Sequence, residues 1–119
     1  MKYLLLIYSN ESSWSGLSEQ EQGQMYEEYM DYTRSIHRSG HYLGGEALEP
    51  IATATTVRVR DGKTLSTDGP FAETREQLGG YYLVEAKNLD EAIGLAARIP
   101  SARFGCIEVR PIMPTPPMD

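Results

Sequence analysis

The chain has 119 residues, 17 acidic and 11 basic, for a net charge of −6 at pH 7. That length suits one domain, because a core of this size buries roughly two thirds of the surface exposed by the unfolded chain. The negative balance repels phosphate backbones and leaves no surplus cations for counterion release, so nucleic acid is not expected as a direct partner.

The apolar run Tyr3 to Tyr8 gives way at once to Ser9-Asn10-Glu11. That is too soon for a signal peptide and far short of the ~20 apolar residues of a membrane span, so a cytoplasmic protein with no membrane partner is expected. Residues 2 to 8 lack polar alternation, the mark of a strand covered on both faces. After a loop over 9 to 17, Ser18-Glu19-Gln20-Glu21 has the reciprocal capping spacing that starts a helix. Met25, Tyr29, Tyr32 and Ile36 then form one stripe that can face a sheet, and Gly40 ends the helix.

His41 to Leu48 reads as a second strand with a weak point at Gly44-Gly45, where a bulge or a close backbone approach is expected. Thr53 to Arg60 and Lys63 to Asp68 read as a hairpin around Asp61-Gly62. A two-residue turn would set Arg60 against Lys63 and Val57 against Ser66, so a three-residue loop over 60 to 62 is expected, pairing Val57 with Leu65. That register places Ala54, Thr56, Arg58, Thr64, Ser66 and Asp68 on one polar face, the candidate site.

Pro70 suits the first turn of a short helix over about 70 to 78, with Asp68 or Gly69 as cap and Phe71 pinned to the core. Gly80 to Ala86 is another nearly continuous apolar strand. Asn88 caps a second helix over about 89 to 99, stopped by Pro100. A last strand covers about 104 to 110. The single cysteine, Cys106, excludes an internal disulfide and reads as a buried, inert thiol. Residues 1 to 110 therefore form the domain, and 111 to 119, with four prolines in nine residues, form an extended tail.

Strand, helix, strand, hairpin, helix, strand is the split β-α-β order of a ferredoxin-like α+β fold, with both helices on one face of an antiparallel sheet. The apolar first and fourth strands then need a cover on the other face, which a second copy supplies in a homodimer.

Several side chains are candidates for chemistry. Asp68 at a strand end, beside helix-start amides, can hydrogen-bond a hydroxyl or amine or act as a general base. Gly69, Pro70 and Phe71 build that turn, and the same segment can equally be structural. Arg58 can clamp a carboxylate or pair with Asp68 or Glu46. Of the two histidines, His37 reads as a surface or packing residue, and His41 can reach a cleft edge as a catalytic group. No His-x-x-x-His or Cys-x-x-Cys spacing supports a metal, no glycine-rich phosphate loop supports a nucleotide cofactor, and no Gly-x-Ser-x-Gly elbow is present, so no metal or cofactor is expected.

The segment Asp68-Gly69-Pro70-Phe71-Ala72-Glu73-Thr74-Arg75-Glu76-Gln77-Leu78-Gly79-Gly80 resembles the signature of the DGPF family of YciI-related (YCII-related domain) proteins. The likeness extends through Lys2 to Tyr8, Gly44-Gly45-Glu46, Ala52 to Arg58 and Val109-Arg110-Pro111. It implies a dimeric α/β-barrel and supports Asp68, Gly69, Pro70 and Phe71 as a site marker; the reading of the residues adds a ligand cleft around Glu46, Arg58 and Asp68 to Phe71 for a small organic molecule. It also implies, as a possible context, a partner sigma factor of the extracytoplasmic-function type. Relatives carry a His on the first helix working with an Asp, but Tyr29 holds that place here, so the pair does not carry over. Substrate, reaction class and whether the protein is an enzyme stay open.

Overall fold

The computed structural model describes residues 1–117. Strand β1 covers Lys2–Ser9 and is followed by a short helix α1 over Glu11–Ser15 and a long helix α2 over Glu19–Arg38. Strand β2 is Tyr42–Ala47, β3 Thr55–Arg60, β4 Lys63–Asp68, β5 Gln77–Glu85 and β6 Cys106–Pro111, with helix α3 over Leu89–Ala97 before β6. Four strands form one antiparallel sheet in the order β2-β5-β1-β6, and β3 with β4 forms a separate ribbon. The architecture is α+β, and its strand order is compatible with a ferredoxin-like fold.

The helices start where side-chain caps satisfy their first amides. Ser18 Oγ accepts from Glu21 N at 3.1 Å while Glu21 Oε1 accepts from Ser18 N at 3.0 Å, and Asn88 Oδ1 accepts from Glu91 N at 2.9 Å. Helix α1 is an addition to the expected loop, begun by Asn10 Oδ1 accepting from Ser12 N at 3.0 Å. It carries no buried residue, so no apolar periodicity announces it. Helix α3 ends at Ala97, two residues before the expected stop, and a 3₁₀ turn over Pro100–Arg103 leads into β6.

Alternation along the strands builds the core. Tyr3, Leu5 and Ile7 of β1 and Tyr82 and Val84 of β5 are buried under Tyr32 and Ile36 of α2 and Ala92, Leu95 and Ala96 of α3. Leu5 and Ile36 are fully enclosed, each contributing about 1.5–3 kcal/mol of apolar burial. The intervening Leu4, Leu6, Tyr81 and Leu83 are only half-buried. They point from the sheet face that carries no helix among the described residues.

Three expectations are corrected. The hairpin turn has two residues, not three: Asp61 (φ 51°) and Gly62 (φ 75°) both take positive φ, which matches the twist of the flanking strands. Arg60 therefore faces Lys63, Arg58 faces Leu65 and Val57 faces Ser66. The like-charge pair is tolerated because both side chains are exposed and screened by solvent. No helix forms over 70 to 78, because Gln77 and Leu78 join β5 opposite Ser9 and Tyr8, and Phe71 is 82% exposed rather than pinned to the core. Cys106 is exposed, since it alternates with the half-buried Ile107 on an edge strand.

Beyond β6, Ile112 N donates to Lys2 O at 2.9 Å and residues 112 to 117 have no regular structure. The end of the expected tail, Met118 and Asp119, lies outside the described residues.

Candidate functional site

Asp68 is the last residue of β4, opposite Thr55. Gly69 follows with φ 98°; its N–H donates to Ala54 O at 2.7 Å, and its carbonyl accepts from Thr56 Oγ1 at 2.9 Å. These bonds close the root of the hairpin. The segment thus aims Asp68 and Phe71 into solvent while Pro70 is half-buried. The return to β5 is held by Gln77, whose Nε2 donates to Thr74 O at 2.7 Å and whose Oε1 accepts from Glu11 N at 2.9 Å. Glu11 in turn accepts from Ile51 N at 2.8 Å. The sequence gives no motif for Glu11 and Gln77, since the partners are 66 and 40 positions apart.

The expected polar face is not assembled. Directly paired and alternate residues share a face, so Asp68 lies with Thr55, Val57, Val59, Thr64 and Ser66, whereas Arg58 lies with Arg60, Lys63 and Leu65 on the other side of the ribbon. Arg58 is not placed to pair with Asp68. Glu46 belongs to the other sheet, opposite Tyr81 on the uncovered face. Asp68 to Phe71 are adjacent by chain continuity alone.

That uncovered face has an apolar centre of Leu4, Leu6, Tyr81 and Leu83 and a polar edge along β6. Tyr8, Cys106, Glu108 and Arg110 occupy this edge, with Arg110 Nε donating to Glu108 Oε2 at 3.0 Å. Partial burial, with the Glu108 carboxylate beside it, pushes the Tyr8 phenol up. Partial burial and the neighbouring Glu76 and Glu108 likewise push the Cys106 thiol up. The thiol stays protonated at neutral pH, which agrees with an inert cysteine despite its exposure.

His41 lies at the other end of the sheet, its carbonyl accepting from Glu85 N at 2.8 Å. The nine residues of β5 set it roughly 25 Å from Gln77, where the segment that follows Asp68 enters the sheet. Its Nδ1 is 2.6 Å from Ser39 Oγ and its Nε2 3.1 Å from Glu91 Oε1. The three side chains have the connectivity of a nucleophile, a base and an orienting acid. However, the amides of Ser39, Gly40 and His41 are all spent on Ser35, His37 and Ile36 carbonyls, leaving no donors for an oxyanion. Ser39 also sits at the carbonyl end of α2, where the helix dipole disfavours negative charge. The contacts link the end of α2 to the start of α3.

Two grooves flank α2. One, of about 390 Å³, is lined by Tyr26, Tyr29, Met30, Thr33, Arg34 and His37. The other, of about 460 Å³, runs between α2 and α3 and is bridged by an Arg103–Glu28 ion pair at 2.6 Å. None of Glu46, Arg58 and Asp68 to Phe71 lines either groove. Beneath α2, Tyr29 OH bonds Ser101 Oγ, Thr33 Oγ1 lies 2.7 Å from Tyr82 OH, and Tyr32 OH donates to Leu95 O at 2.8 Å. Burial pushes all three phenols up. His37 stacks on Tyr42 with ring centroids 3.9 Å apart, a packing role.

The YCII-related domain family matches residues 1–116 of the chain. The chain belongs to this family. A similar protein, named "Uncharacterized protein R00369", from Rhizobium meliloti (strain 1021), is 37% identical over 114 residues, covering 94% of this chain and 92% of that one. In this YCII-related chain the position expected to hold a helix histidine carries Tyr29, whose hydroxyl is committed to Ser101. Asp68 and Glu46 are exposed carboxylates.

Proposed function

We propose that this YCII-related protein works as a homodimer that packs the uncovered sheet faces of two subunits together and binds a small organic molecule at the rim, beside Asp68 to Phe71. The observation that carries the reading is the apolar centre Leu4, Leu6, Tyr81 and Leu83, half-exposed on a face with no helix. Apolar surface left in water costs roughly 25 cal/mol per Å². Asp68 and Phe71, three positions apart, supply a hydrogen-bond acceptor and an aromatic surface, both exposed. That pairing suits a ligand with an amine or hydroxyl donor on an apolar body. With such a ligand bound, Asp68 is the group to accept a proton, which is the enzymatic version of the reading.

A thermal-shift screen of small amines and hydroxy acids, followed by calorimetry on the hits, tests it. Asp68→Asn should weaken a hit about tenfold or more, roughly 1.4 kcal/mol, with the ligand-free melting temperature unchanged. A variant that melts lower yet binds every hit as well as the parent shows that the segment only stabilises the structure.

A second reading, a non-enzymatic accessory protein acting with an extracytoplasmic-function sigma factor, draws support from α2. Its exposed side includes Glu19, Glu21, Glu27, Tyr26 and Met30, an acidic and apolar surface that fits a basic partner. Charge reversal at Glu19 and Glu27 should abolish sigma-factor binding while Asp68→Asn leaves it intact; binding unaffected by the reversal removes this reading.

A further inference from the structure

The β3–β4 ribbon is unsupported within its own chain. Among the described residues, the side-chain hydrogen bond that ties residues 55 to 68 to the rest of the protein lies at the root, from Thr56 Oγ1 to Gly69 O, and no ion pair involves them. Val57 and Val59 are 60% and 59% exposed and Leu65 49%. An isolated two-stranded ribbon is marginal in water, and three strands or a packed face are needed for stability. The molecule is large for its length, with a radius of gyration of 16.5 Å against about 13.5 Å for a compact chain of this size.

The two faces of the ribbon differ. One carries Arg58, Arg60, Lys63 and Leu65, and suits solvent. The other carries Val57 and Val59 among Thr55, Thr64 and Ser66, and suits burial. Asp68 is on this second face.

We propose that the ribbon is an arm that lays its valine face on a second copy of this chain, so that Asp68 and Phe71 meet residues of the partner and the ligand site is built by two subunits. This rests on the homodimer reading given above. Two observations select a second copy as the occupant. The first is area: four strands about 4.8 Å apart and some six residues long present a projected face on the order of 400 Å², half of the about 800 Å² per partner in a standard interface. One ribbon face given and one received add on the order of another 400 Å², which closes the difference. The second is continuity, because the arm's root is tied by Gly69 and Ala54 to the loops at the end of the sheet whose face is uncovered.

The test combines sedimentation with amide exchange. In the parent protein, amides of residues 55 to 68 should exchange at least tenfold more slowly at concentrations where the dimer forms than where it is dissociated. Val57→Asp with Val59→Asp, at positions too exposed to affect folding, should weaken the dimer tenfold or more and remove that protection. Leu4→Asp, on the sheet face, should give a monomer whose arm exchanges fast at every concentration. A dimer equally tight in the valine variant, with arm exchange independent of concentration, overturns the arm while leaving the sheet-face dimer standing. A parent protein that is monomeric throughout overturns the dimer reading and the arm with it.

Discussion

A single methyl group probes how tightly β2 lies on β5. At Gly45, a Cβ would come within 2.8 Å of the Tyr82 ring and 2.9 Å of Tyr81 O, and the carbonyl belongs to backbone that cannot swing aside. Gly45→Ala should therefore destabilise the fold by about 1–3 kcal/mol, lowering the melting temperature by several degrees. Gly79→Ala, where nothing lies within 4 Å, is the control, and equal melting of the two variants would show that β2 is free to move off. This close approach was legible as two glycines inside a strand pattern. The separation of Asp68 from Arg58 was not, because one residue of register decides which face a side chain takes.

Helix ends show how local chemistry and distant contacts combine. Glu91 accepts from Lys87 N at 3.1 Å and from His41 Nε2 at 3.1 Å. The Lys87 amide first, and His41 after it, hold its carboxyl below the ordinary value of 4.5. A carboxyl depressed in the folded state adds stability above pH 4.5 and loses it as pH falls through the lower folded value. Glu91→Gln should flatten the acid limb of the stability curve over that window in urea titrations at stepped pH; an unchanged limb would place the acid sensitivity elsewhere. The caps at Ser18 and Asn88 were readable because they act within four residues. The 70 to 78 segment was not, although Gly69-Pro70 looks like a helix start, because pairing of Gln77 and Leu78 with β1 outweighs a local preference. The hairpin turn was misjudged for a related reason. Repulsion between Arg60 and Lys63 is small between exposed side chains, and the fit of Asp61-Gly62 to the twist decides.

At the scale of the molecule, a sheet covered by helices on one side leaves apolar strands facing outwards on the other. The unbroken apolar character of β1 and β5 signalled this two-sided demand, and the half-buried Leu4, Leu6, Tyr81 and Leu83 agree with it. The departure of the hairpin from the main sheet had no such signal, because alternation reports which residues share a face and not which sheet they join. The uncovered face and the projecting ribbon are both grounds for the proposed second subunit. Light scattering coupled to size-exclusion chromatography at micromolar concentration measures it directly. The expected mass is twice the 13.3 kDa of the chain, falling to a single chain in Leu83→Asp. A parent protein that elutes at 13.3 kDa would contradict the homodimer and the shared site built on it.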